Sequence, residues 1–322
     1  MVVRVAAVAL ALVAGTAGVA HGVDYPDPAT VTGDVSVHDP TVVKTPSGTY
    51  LLAHTGANIL LKTSADRVAF QNAGQVFPDG APWTEPYTGG GNILWAPHLS
   101  YLNERFYLYY SASTLGSRKS AIFLATSPTG EAGTWTDAGL VVETDDADDY
   151  NAIDPDLTVD DAGRWWLTFG SYWSGIKQIA IDPDTGKPLD SAILDLASRG
   201  GDAIEAATIA KHGSYYYLYV SFDRCCQGAN STYRVMVGRS DSINGPYVDR
   251  AGVPMLEGGG TEIVASHGAI HGPGHQDVLT DGDTDILVYH YYADNGTPLL
   301  GINPLAYDAE GWPALQSAAR MV

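Results

Sequence analysis

At 322 residues, with a net charge of −20 and only two cysteines, the chain excludes several classes at once. An acidic surface repels nucleic-acid phosphates, and no basic patch offsets it; the adjacent Cys225 and Cys226 cannot staple distant parts of a fold, so this is not a disulfide scaffold. The 36 Gly, 18 Pro and 19 Tyr suit one large domain of many turns and aromatic strands with little helix.

In chain order, Arg4 precedes an apolar run over residues 5–20 rich in small side chains, with small residues at Gly18, Ala20 and Gly22 suited to signal peptidase. Residues 1–22 are therefore expected to be a secretory signal, too short and too rich in small residues for a membrane span, and residues 23–322 a single secreted domain. No other stretch is apolar enough to cross a bilayer. The tail from Gln316 reads as a terminal extension.

The remainder is a repeat. Asp39-Pro40-Thr41-Val42-Val43 leads across a Gly48 turn into Tyr50-Leu51-Leu52, and Ala96-Pro97-His98-Leu99 leads across Asn103-Glu104 into Phe106-Tyr107-Leu108. Asp154-Pro155 runs through the polar turn Asp160-Asp161-Ala162-Gly163 into Trp165-Trp166-Leu167, the pattern of a β-hairpin. Glu205-Ala206-Ala207 and His275-Gln276-Asp277 open two more such units. A third strand follows around residues 59–64, 121–127 and 235–240. A glycine-bearing apolar segment then comes at 74–76, 139–142 and 252–256. Units of about this length carrying four strands each predict an all-β, five-bladed β-propeller with four-stranded blades; a β-sandwich would not explain a fixed aromatic offset repeated five times.

In a propeller the first strand of each blade lines the axis, so the heads Asp39, Ala96, Asp154, Glu205 and His275 are expected to converge at one end. Any one of these acids alone could cap a turn. Three carboxylates brought together raise each other's proton affinity, which points to chemistry. Two acids flanking a glycosidic bond suffice for hydrolysis, one protonating the leaving oxygen and one activating water or attacking the sugar; a third nearby raises the acid's pKa. Trp95 and Tyr172-Trp173 offer flat faces to a sugar, and His38 either donates to substrate or orients Asp39. Tyr107, Tyr109, Trp165 and Tyr217 read as blade packing. Cys225 and Cys226 read as two buried thiols, with a vicinal disulfide as the alternative.

The runs VHDP, WAP, NAIDP followed by FGSYWSGIK, IEA, SFDRCCQGANSTYRVMVGRS and GPGH resemble the endo-1,5-α-L-arabinanases of glycoside hydrolase family 43, over residues 34–313. The resemblance implies a five-bladed propeller and inverting, single-displacement hydrolysis of arabinan or arabino-oligosaccharides. Asp39 would be the general base, Glu205 the general acid, and Asp154 the residue that raises the pKa of Glu205 and orients it. Base and acid in an inverting site are expected about 6.5–9.5 Å apart. His38, Trp95, Asn151, Ile153, Ser171 and Trp173 would contact substrate. The resemblance also implies one calcium ion, with His275 as its protein ligand and water filling the rest of its shell. His98 and Ala207 depart from the family's usual acid and proline, and are expected to bear on subsite detail. Alternatives are an exo-acting arabinofuranosidase or β-xylosidase of the same fold, with loops 81–91 and 256–267 expected to decide groove against pocket, and a non-catalytic sugar-binding propeller. A monomer is the default expectation.

Overall fold

The computed structural model describes residues 24–317. The expected signal segment, residues 1–22, and the last five residues of the expected tail lie outside them. The described chain forms five sheets of four or five strands, one after another along the sequence. Their first strands, Thr41–Lys44, Ile93–Leu102, Asp156–Val159, Ile204–His212 and His271–Asp281, touch in a closed ring around one axis. This is a five-bladed propeller. Helix is confined to the four residues Glu85–Thr88 and three 3-10 turns.

The physical reason for the ring lies in the middle strands. Tyr50–His54 and nearly all of Ser120–Ser127 are buried on both faces, because each blade is covered by its two neighbours. Such strands read as continuous apolar runs instead of clean alternation. The buried apolar side chains fall into five clusters, one per seam between blades. The cluster closing the last seam sets Val42, Leu52 and Phe70 of the first blade against Ile286, Val288 and Ile302 of the fifth. Each such side chain contributes about 1.5–3 kcal/mol on burial, so the closing seam is built like the other four. The N-terminal segment reinforces it: Ala29 N–H donates to Ile302 O (2.8 Å), and Leu300 N–H donates to Val35 O (3.0 Å). Thr32–Gly33 adds to the outer strand of the first blade.

Two expectations about strands need correction. The fourth strand of blade 4 is Thr261–Val264, while the segment expected at 252–256 runs into the 3-10 turn Met255–Glu257. Gly258 and Gly259 supply the tight reversal that delays the strand. The register of the heads also slips by one in blade 4. Asp39, Ala96, Asp154 and His275 take left-handed φ of 50°, 44°, 57° and 47°, and the matching residue in blade 4 is Ala206 at 54°. Glu205 is therefore equivalent to His38, Trp95, Ile153 and Gly274. In blades 2, 4 and 5 the pairing register shifts across this position, a bulge that re-aims one side chain toward the axis.

Candidate active site

A left-handed residue cannot bond as a regular strand residue does, so its N–H needs another acceptor. The acceptor comes from the second strand of the preceding blade. Ala96 N–H donates to Thr55 Oγ1 (2.8 Å), Asp154 N–H to Ser111 Oγ (3.0 Å), His275 N–H to Ser221 Oγ (2.9 Å) and Asp39 N–H to His290 Nδ1 (3.1 Å). Blade 3 has Gly170 at this place and no side chain to offer. There Ala206 N–H donates instead to Asp154 Oδ2 (3.0 Å). The missing side chain thus gives Asp154 a seat beside Glu205.

These residues open into one cavity of about 700 Å³ at the end of the axis. Its lining brings together Asp39, Asp154, Glu205 and His275 with Trp95, Asn151, Ile153, Ser171 and Trp173. Ala96, the remaining head, does not reach it. His38 is not part of the lining either. It stands behind Asp39, with Nδ1 2.8 Å from Asp39 Oδ1 and Nε2 2.7 Å from Tyr292 Oη, so its place is that of an orienting group and not of a substrate contact.

The three acids are held in different states. Burial would raise Asp39, but His275 (Nδ1 3.0 Å from Oδ1) and His38 outweigh it and hold the carboxyl well below the usual range. Thr55 Oγ1 donates to its other oxygen (2.5 Å). Burial lowers His38, yet the charge of Asp39 prevails and raises it. Burial keeps His290 well below the ordinary imidazole value and hence neutral, as its acceptor role toward Asp39 N–H requires. Glu205 is partly buried in the cavity wall, and burial, helped by the charge of Asp39, pushes it up to about 7 against a hydroxyl donated by Tyr233. Asp154 is also raised, by burial and by Glu205. The Asp154–Glu205 pair therefore retains a proton at neutral pH, while Asp39 across the same cavity is ionised. A group able to give a proton faces one able to take it.

His275 suits the metal that the family resemblance implies. Its Nδ1 is engaged by the Asp39 carboxylate, which leaves Nε2 as the remaining ligand atom, and burial lowers its pKa so that the ring is neutral. A carboxylate behind an imidazole is the usual support for a metal-binding histidine. The ring borders both the large cavity and a much smaller one beneath it on the axis. His271, in contrast, bonds Asp294 at the surface (2.8 Å). His98 lines only the lower cavity, with Nδ1 3.2 Å from Asp156 Oδ1, and Ala207 is there too; neither departure from the family pattern touches the large cavity, contrary to the subsite role expected for them.

The walls also differ from expectation. Loops 81–91 and 256–267 contribute nothing to the lining; the segment 81–91 instead packs Ala81, Trp83 and Tyr87 on the core between blades 1 and 2. The rim is built by residues 113–117, by Tyr172-Trp173, by Gly201 and by Cys225-Cys226. Leu115 is 86% exposed at this rim. Asn151 Nδ2 donates to Ser171 Oγ (3.1 Å), and its buried Oδ1 has no protein partner among the described residues. The cysteines are not two buried thiols: Cys225 and Cys226 form a vicinal disulfide, partly buried and exposed respectively. A loop over the cavity carries them, so no neighbouring strand covers them.

Comparison with known proteins agrees with this geometry. The profile of Glycosyl hydrolases family 43 matches residues 30–313. The extracellular endo-α-(1→5)-L-arabinanase 1 of Bacillus subtilis is 44% identical over 288 residues, 86% of this chain and 87% of the relative. The extracellular exo-α-(1→5)-L-arabinofuranosidase ArbA of Cellvibrio japonicus is 36% identical over 299 residues, 87% of this chain and 86% of that one. The solved structure of a family 43 endo-arabinanase from Bacillus licheniformis superposes with a TM-score of 0.83 at 42% identity, covering 88% of this chain and 99% of the other.

Proposed function

Because the chain belongs to Glycosyl hydrolases family 43, we propose that it is a secreted, inverting endo-1,5-α-L-arabinanase that cleaves internal linkages of linear arabinan. The observation that carries this reading is the pair of opposed states in one cavity: Glu205 raised to about 7 and Asp39 held ionised beside His275 and His38. In it Asp39 takes a proton from water as the water attacks the anomeric carbon. Glu205 gives its proton to the leaving sugar oxygen. Asp154, bonded to Ala206 N–H, shares the pair's retained proton with Glu205 and fixes that strand. Ionised Asp39 is free to accept a proton, and inversion is what the family resemblance implies.

Trp95, Asn151, Ile153, Ser171 and Trp173 would contact the sugar chain. His275 would hold the calcium ion through Nε2, with water completing the shell. When bound, that ion supplies fixed positive charge beside the acids. The leading relative acts within chains and ArbA is named as exo-acting, so the endo assignment is the part to test first. Product sizes over time from debranched linear α-1,5-arabinan, with Glu205→Gln run alongside, decide it. A ladder of oligosaccharides appearing early, absent in the variant, is expected. Single arabinose from the first time point would move the site to exo action, and proton NMR of the first product reports its anomeric form.

A further inference from the structure

The vicinal disulfide belongs to no step above, yet it forms part of the wall of the reacting cavity. Cys225 Sγ lies 3.6 Å from His38 Nε2 and 3.6 Å from Tyr292 Oη, and Cys226 Sγ lies 3.8 Å from His38 Nε2. His38 in turn sits 2.8 Å from the base carboxylate Asp39. The sulfur pair is thus two contacts from Asp39. The loop that carries it is tied shut at its base: Thr232 N–H donates to Arg224 O (2.9 Å), Arg224 N–H to Thr232 Oγ1 (3.2 Å) and Gln227 N–H to Ser231 Oγ (2.9 Å). Cys226 N–H donates to Tyr292 Oη (3.2 Å), fixing the loop to blade 5.

Two linked cysteines closed into a small ring have no free side-chain rotamers and present polarisable sulfur in place of a hydrogen-bond donor. Such a face suits the C–H surface of a sugar ring, as an aromatic ring does, and loses no rotamer freedom on binding. Trp173 and Leu115 on the same rim are also apolar. We propose that the Cys225–Cys226 disulfide is a sugar-contacting platform that fixes the furanose beside Asp39, and that its reduction weakens substrate binding. This rests on the arabinan reading.

The test exploits the composition. These are the only two cysteines in the chain, so dithiothreitol, which supplies two electrons and two protons to open the bond, alters no other link. Binding of a linear α-1,5-arabino-oligosaccharide to the full-length Glu205→Gln protein is measured by calorimetry before and after reduction. Thiol counting confirms opening, and near-UV circular dichroism follows the fold. Reduction is expected to weaken binding by about tenfold, and Cys225→Ala/Cys226→Ala in the same background to do likewise. Equal affinity in the oxidised and reduced forms overturns the inference alone. No binding in any form overturns the arabinan reading, and the platform with it.

Discussion

Two layers of side chains at the head of the axis come from the same five strands, two residues apart, and they treat charge in opposite ways. In the lower layer every acid is satisfied. Asp277 accepts from Thr41 Oγ1 (2.8 Å), Val42 N–H (2.9 Å) and Val278 N–H (2.8 Å). Asp156 accepts from Thr158 Oγ1 (2.9 Å) and Ile209 N–H (3.1 Å), with His98 beside its other oxygen. Leu99 N–H reaches Thr41 Oγ1, and Thr208 Oγ1 reaches Gln276 O. Together these contacts stitch each of the five seams between inner strands. In the upper layer Glu205 has one hydroxyl, Asp154 accepts one backbone N–H, and the buried Nε2 of His290 has no protein partner among the described residues. The same repeat therefore uses one layer to hold the ring closed and leaves Glu205 and Asp154 in the next with one bond each.

The contrast is broken most sharply by neutralising the upper layer. Glu205→Gln and Asp39→Asn are each expected to lower kcat on linear arabinan by about 10³-fold or more while the far-UV circular dichroism stays unchanged. Loss of activity accompanied by loss of fold would move these acids into the structural class. The pH profile follows with a smaller effect. Glu205 must carry its proton to act, and its pKa is raised to about 7. Activity is thus available below that value, and kcat/KM is expected to fall by about tenfold per unit as pH rises beyond it. A descending limb near pH 5 would contradict the burial of this carboxyl.

Much of this could be read in the sequence, and what could not has a local cause. The Asp-Pro and Ala-Pro heads are visible because proline marks the residue before it. Glu205-Ala206-Ala207 lacks that mark, so the sequence pattern places the blade 4 head one residue early. Thr55, Ser111, Gly170, Ser221 and His290 went unread, although they stand at nearly the same distance after each head. Their type varies from hydroxyl to imidazole to nothing, and only the acceptor role is constant. Tyr233 and Tyr292 looked like two of many strand tyrosines. The rim at 113–117 and the disulfide sit on loops, where no periodicity reports which way the chain turns.

In the lower layer the expected signature is stability. Asp277→Asn replaces an acceptor of three bonds at the closing seam with a group that can satisfy fewer of them. It is expected to cost about 1–3 kcal/mol, read as a drop in melting temperature of roughly 2–4 °C for each kcal/mol, with kcat of the folded fraction near wild type. A kcat loss as large as that of Glu205→Gln, with no change in melting, would erase the distinction between the layers.

The smallest effect runs in the opposite direction. A carboxyl whose pKa rises on folding destabilises the fold in its ionised form: the penalty is absent below the unfolded value of about 4.5 and complete above the folded one. For Glu205 that window ends at about 7. Wild-type stability should therefore fall as pH rises through this window, and Glu205→Gln should escape the loss. The variant is expected to melt at a higher temperature than wild type at pH 8, by an increment on the order of 1 kcal/mol, and at nearly the same temperature at pH 4. Asp277→Asn should show no such gain at either pH, because its carboxylate is fully bonded. Melting curves of the three proteins at the two pH values make the comparison. A Glu205→Gln variant less stable than wild type at pH 8 would mean that this acid, like its neighbours one layer down, is there to hold the ring together.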